Sequence, residues 1–258
     1  MNNEIIKQLP QWIKQKEKYS LCLTNDIDSL MSCYYLTLYK NWHIKAFYDF
    51  NYLYATDATL PNECIAVDAE LKQGKCIGNH VGEYENNINC ININKYCNIT
   101  RANYNSKFAG STLVTVLSLL NVDISTFTIE QQEFILAIDT MFKSYFYNKE
   151  QATYYIKDIL GHPELVDVLE NHNKEYFYNI IKKYKLHEDI YLDSWGLLQT
   201  DIKLKEINKL FDIKLELPQE DFVAVEEFNT RIGIPRPNED IFSLAWIYKN
   251  KASYSYFS

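Results

Sequence analysis

Tyr19-Ser20-Leu21-Cys22-Leu23-Thr24-Asn25-Asp26-Ile27-Asp28-Ser29-Leu30-Met31-Ser32 runs an apolar stretch into an acidic pair and then directly into a helical pattern. The apolar stretch reads as a strand, Tyr19 to Thr24. After it, Ile27, Leu30, Met31, Tyr34, Tyr35 and Leu38 recur at helical spacing and predict a helix from about Ile27 to Asn41. Two carboxylates this close, held in a cleft, repel each other, and a divalent cation or a shared proton relieves the repulsion. An Asp after a strand is also a helix N-cap, and Asp28 could cap the next helix through its side chain. Cation binding and capping both remain open for Asp26 and Asp28.

Working outward, Glu4 to Lys18 reads as a polar helix interrupted by Pro10, and His43 to Phe47 and Glu63 to Val67 read as further strands, the latter ending in Asp68. Lys75 to Gly78 and Cys90 to Asn94 read as short extended segments. Strands and helices that alternate in this way predict an α/β fold, a parallel sheet flanked by helices. Ligands of such sheets sit beyond the carboxyl ends of the strands, where Asp26, Asp28 and Asp68 would lie. The pattern then turns helical: Gly110-Ser111-Thr112 opens one helix, and others are expected over Ile129 to Tyr147, Gln151 to Leu160 and Pro163 to Tyr184. Ile202 to Phe211 reads as a helix, with Ile213 to Leu217 and Phe222 to Glu226 extended. Leu244 to Tyr248 and Ser253 to Phe257 read as a hairpin across Lys249-Asn250-Lys251. The expected boundary falls near Leu186 to Asp201. It divides an α/β domain with a helical extension, residues 1–185, from a small C-terminal α+β region, residues 186–258.

With 258 residues, 47% hydrophobic and 23% charged, the chain can bury a full core. The formal net charge of -8 argues against a protein that coats long nucleic acid, since that mode needs clustered Lys and Arg. A small anionic substrate stays compatible if a metal supplies local positive charge. The six cysteines form no CxxC pair and no zinc spacing, so neither a zinc module nor a disulfide framework is expected. No apolar run approaches the length of a membrane span and no signal peptide is recognisable, which gives a cytosolic expectation.

Asp139 lies inside the apolar stretch Phe134-Ile135-Leu136-Ala137-Ile138-Asp139-Thr140-Met141-Phe142. A carboxylate buried there unpaired is costly, so it needs a metal or an Arg, unless it sits exposed at the helix edge. His80 is the one histidine of five placed beside the expected sheet edge. His43, His162, His172 and His187 read as structural.

The order Asn25-Asp26-Ile27-Asp28-Ser29, Ile65-Ala66-Val67-Asp68, Gly78-Asn79-His80, Gly110-Ser111-Thr112 and Ile138-Asp139-Thr140 resembles the DHH phosphoesterase superfamily over roughly residues 19 to 147. That group includes RecJ-type exonucleases, nanoRNA and cyclic-dinucleotide phosphodiesterases and family II pyrophosphatases. The resemblance implies a cleft holding Mn2+ or Mg2+, one ion or two, bound by Asp26, Asp28, Asp68 and Asp139, with Asp68 bridging. It implies that Asp68 and His80 serve catalysis and that Asn79, His80, Ser111 and Thr112 face phosphate, the last two at a helix start. The substrate it implies is a nucleotide or a short single-stranded oligonucleotide. The chain departs from the pattern where Gly78-Asn79-His80 replaces Asp-His-His, losing a carboxylate and an imidazole, and where Cys22 replaces a His.

Two functions follow. One is a metal-dependent phosphoesterase; the other is a degenerate relative whose cleft binds a ligand or a protein partner. An aspartyl-phosphate phosphatase of the haloacid dehalogenase type ranks behind both, because a turn and flap normally follow its acidic pair and a helix follows here.

Overall fold

A strand in the middle of a parallel sheet is covered on both faces, so its residues are apolar without alternation. In the computed structural model, which describes residues 1–57, 64–83 and 86–257, β1 (Ser20–Thr24) is such a strand, buried from Leu21 to Thr24. It lies parallel to β2 (His43–Tyr48), which in turn pairs antiparallel with β3 (Tyr52–Ala55). On its other side β1 pairs parallel with β4 (Cys64–Val67), followed by β5 (Cys76–Ile77) and β6 (Cys90–Ile91). Glu63, the expected first residue of the third strand, lies outside the described residues, as does Ser258. The sheet order is β6-β5-β4-β1-β2-β3. The chain leaves β1 towards β2 and later returns to its opposite side as β4, which makes the carboxyl ends of β1 and β4 the switch point where α/β sheets open a crevice.

The helix Ile27–Lys40 begins where the sequence predicts, but its N-cap is Asp26 and not Asp28, accepting from the Ser29 amide at 2.9 Å. Ser29 Oγ accepts from Thr24 N–H and donates to the Val67 carbonyl, so the helix start is tied to the ends of both β1 and β4. The helix packs on these strands and against a second helix, Thr112–Leu119.

The C-terminal part joins this framework directly. After a short hairpin, β7 (Ile190–Leu192) with β8 (Leu198–Thr200), the strand β9 (Val223–Glu227) pairs antiparallel with β3 and becomes the seventh strand of the main sheet. A separate antiparallel sheet holds β10 (Asn229–Gly233), β11 (Ile241–Tyr248) and β12 (Lys251–Tyr256) in the order β10-β12-β11. β11 runs along the segment that follows β4. Leu244 N–H donates to the Glu70 carbonyl at 3.0 Å and Trp246 N–H to the Val81 carbonyl at 2.7 Å.

Three expected helices are broken. The first splits into Asn3–Gln8 and Gln11–Lys14, with Pro10 as the cap between them. Ile129 to Tyr147 becomes Ile129–Ala137 and Phe142–Tyr147, because Asp139 and Thr140 take left-handed conformations with φ of 48° and 52°. Asp tolerates that region; β-branched Thr does so only under strain. Pro163 to Tyr184 becomes Pro163–Asn171 and Lys174–Tyr184, since Asn173 caps the second piece through its side chain. Ile213 to Leu217 forms no strand: the Asn208 side chain bonds both the N–H and the carbonyl of Leu215. Among the described residues no helix is long and apolar enough to cross a membrane.

His162, just before Pro163, is buried with no hydrogen-bond partner for Nε2, while Nδ1 stands 3.4 Å from Glu164. Burial and the Met1 ammonium depress its pKa from 6.5 to about 4, against a smaller opposite pull from Asp123. A depressed imidazole contributes stability that is full above pH 6.5 and lost as the pH falls through about 4. That contribution amounts to roughly 3 kcal/mol. Urea unfolding from pH 7 to pH 4 should therefore be less acid-sensitive in His162→Phe than in the wild type; parallel curves would refute this account.

Candidate active site

The crevice at the ends of β1 and β4 gathers acidic side chains from three stretches of chain. Asp26 leaves β1, and Asp68 leaves β4 with φ 63°. Asp139 reaches the crevice from the left-handed turn that breaks its helix. Asp28, 1% exposed, points across to the helix Thr112–Leu119, where its two oxygens accept the amides of Thr112 and Leu113 at 2.7 Å each. Of the acidic pair, Asp26 caps its own helix and Asp28 caps a distant one.

The helix start at Ser111-Thr112 is correspondingly occupied. Ser111 caps its own helix by accepting from Val114 N–H, and Thr112 Oγ1 donates to Asp68 Oδ1 at 2.6 Å. The two amides that would face a phosphate there are held by Asp28. Thr112 is thus placed beside Asp68, and Ser111 turns back onto its own backbone.

Asp139 sits exposed at the break of its helix, the alternative its sequence context left open, and Asn79 Nδ2 donates to its Oδ2 at 3.1 Å and to the Gly110 carbonyl. Asn79 Oδ1 has no hydrogen-bond partner, although Asn79 is only 6% exposed. Two buried asparagines fix this turn. Asn94 Nδ2 donates to the Asn79 carbonyl and Asn92 Nδ2 to the His80 carbonyl. The sequence did not single out these two, nor Glu70, whose Oε1 accepts from His80 N–H at 2.8 Å and whose Oε2 stands 3.5 Å from His80 Nδ1. One signal for Glu70 was present, because Asp68-Ala69-Glu70 repeats the acid-x-acid spacing of Asp26-Ile27-Asp28.

The carboxylates act on one another. Desolvation and the charge of Asp68 push Asp26 up to about 7, and desolvation lifts Asp68 to about 6 despite the opposing pull of His80. Asp28 is raised by burial and then by Asp68, Asp26 and Asp139, with the Leu113 amide working the other way. For His80, burial favours the neutral ring, but Glu70, Asp139 and Asp68 outweigh it and raise the imidazole above its usual value.

Asn79, His80 and Asp139 form one wall of a cavity of about 610 Å3. Away from the acids its lining is aromatic, with Tyr104, Phe108, Tyr147, Tyr155, Trp246 and Tyr248, and it holds two cations, Lys107 and Lys143. Phe108 and Tyr155 stack at 5.0 Å, and Gly110 is required beside them, since a Cβ there would lie 2.5 Å from the Tyr155 ring. Trp246 and Tyr248 come from β11.

Among the described residues no three His, Cys, Asp or Glu side chains stand grouped so as to hold a metal ion. The donor types in the crevice, carboxylate oxygens of Asp26, Asp68 and Asp139 and the unpartnered amide oxygen of Asn79, are those that hard divalent ions take. No protein-family model, no curated protein and no solved structure matches the chain.

Proposed function

We propose that the chain is a metal-dependent phosphoesterase acting on a nucleotide or a short single-stranded oligonucleotide, akin in fold and site to the DHH phosphoesterases. The observation that carries this reading is the meeting of Asp26, Asp68 and Asp139 with His80, of which Asp139 and His80 also line an aromatic, lysine-bearing cavity. Mutually repelling acids whose proton affinity is raised are what a cation site looks like before the cation arrives.

Asp26, Asp68, Asp139 and Asn79 would hold Mn2+ or Mg2+, and the bound ion would supply positive charge against the phosphate and make its water more acidic. The chain's own groups do the rest. His80, raised above its usual value by its acidic neighbours, faces a phosphate oxygen as a proton donor. Lys107 and Lys143 attract further phosphate, and the aromatic lining offers flat surfaces for bases. A pocket of this volume takes a small ligand or the end of a strand, consistent with an acidic chain unsuited to coating long nucleic acid.

The second reading, a binding scaffold, has its own support: Asp28 is committed to two amides, and the acids form no ready-made metal group. Purified protein with Mn2+, offered mononucleotides, dinucleotides and short single-stranded DNA and RNA, is expected to hydrolyse at least one, and calorimetry is expected to register Mn2+ binding. Absence of both hydrolysis and Mn2+ binding would hand the protein to the scaffold reading.

A further inference from the structure

Gly78 stands where a side chain cannot. A Cβ built there would lie 2.1 Å from Glu70 Oε1 and 2.9 Å from its carboxyl carbon. The space beside Gly78 is already filled by the Glu70 carboxylate, whose side chain is only 2% exposed. From that seat Glu70 holds the His80 backbone N–H with Oε1 at 2.8 Å and sets Oε2 at ion-pair distance, 3.5 Å, from ring Nδ1. Asn92 Nδ2 steadies the same Oε1 from 3.2 Å.

We infer that Glu70, two residues beyond Asp68, is the positioning residue of His80 and turns the ring so that Nε2 faces the cleft. A carboxylate on one ring nitrogen fixes the tautomer and the ring plane, so the other nitrogen is presented to the substrate side. Its consequence for turnover rests on the phosphoesterase reading; the geometry of the His80 ring does not. The absence of a side chain at Gly78 and the seat of Glu70 are then one arrangement, since the Glu70 carboxylate occupies the space a Cβ at Gly78 would need.

The test uses the full-length chain, 15N-labelled at histidine, with the His80 signals assigned by their loss in His80→Gln. At a pH where the ring is neutral, the wild type is expected to carry its proton on Nδ1, facing Glu70, and Glu70→Ala to move it to Nε2. Gly78→Ala alone is expected to lower Tm by roughly 5 to 10 °C through overpacking. In the Glu70→Ala background the same change should cost clearly less, because both contacts under 3.0 Å are gone and only the Ala69 carbonyl oxygen, 3.2 Å away, remains. If a hydrolysed substrate is in hand, Glu70→Ala should lose about 10- to 100-fold in kcat with KM little changed.

An unaltered His80 tautomer in Glu70→Ala, or equal Tm losses from Gly78→Ala in both backgrounds, overturns the inference whatever the activity. Should Glu70→Ala fail to fold, Gly78→Ala carries the test, because its methyl group displaces the carboxylate and must change the same signal. An inactive wild type with the expected tautomer change defeats the phosphoesterase reading and leaves this one standing.

Discussion

Asp28→Ala lowers Tm by about 10 °C, the largest stability loss expected from any single acid in the crevice. The side chain accepts two buried amides at the start of the helix Thr112–Leu119, and its removal strands both. Hydrogen bonds from amides to a charged acceptor are worth roughly 1.5 to 3 kcal/mol each, and unsatisfied buried donors cost about as much. Relief of repulsion from Asp26, Asp68 and Asp139 returns part of this, which leaves about 3 to 4 kcal/mol. Asp26→Ala removes a single N-cap bond, worth about 1 kcal/mol, and also relieves repulsion. Calorimetric melting of the two variants checks the contrast, and equal Tm losses would show that Asp28 is no clasp between helices.

On the phosphoesterase proposal, Asp68→Asn is expected to cut hydrolysis in the presence of Mn2+ by about a thousandfold and to remove the rise in Tm that the proposal expects Mn2+ to give the wild type. Asn is the informative replacement, because it keeps the left-handed backbone and an acceptor for Thr112 while removing the charge. The metal-free variant should still fold and should gain stability at alkaline pH. Asp26 and Asp68, raised to about 7 and about 6, contribute stability that is complete below pH 3.8 and lost as the pH climbs through those values. Asp28, Asp139, Glu70 and His80 face the same crevice and set those values jointly. Activity near the wild-type level in Asp68→Asn, or an undiminished Mn2+ effect on its Tm, removes Asp68 from the proposed site.

The centre of the fold was legible because local and long-range demands agree there. Leu21 to Thr24 is apolar since both faces of β1 are covered, and Ile27, Leu30 and Met31 keep helical spacing since one face packs on that strand. Asp68 and Asp139 were readable as members of the crevice from where they sit, after a strand and inside an apolar run. What escaped depends on partners far along the chain. β3 and β9 are too short and too mixed to announce themselves, and each is a strand because the other lies beside it. The break at Asp139-Thr140 replaces a continuous helical pattern with left-handed backbone, a conformation Thr gives no warning of. Glu70, Asn92 and Asn94 matter through the backbone groups they hold, and residue type alone does not reveal which buried amide a side chain will reach. Asp28 shows the same limit, since a capping role was readable but the helix it caps begins 84 residues later.

One strand decides when the cleft is finished. The acids and His80 all lie within the first 139 residues, yet the backbone that braces Glu70 and Val81, and two of the rings that line the cavity, Trp246 and Tyr248, belong to β11 at Ile241–Tyr248. During translation the charged constellation leaves the ribosome long before its brace does. A growing chain therefore carries every acid of the site while the pocket is still open, and it acquires a closed pocket only when the last part of its sequence folds back.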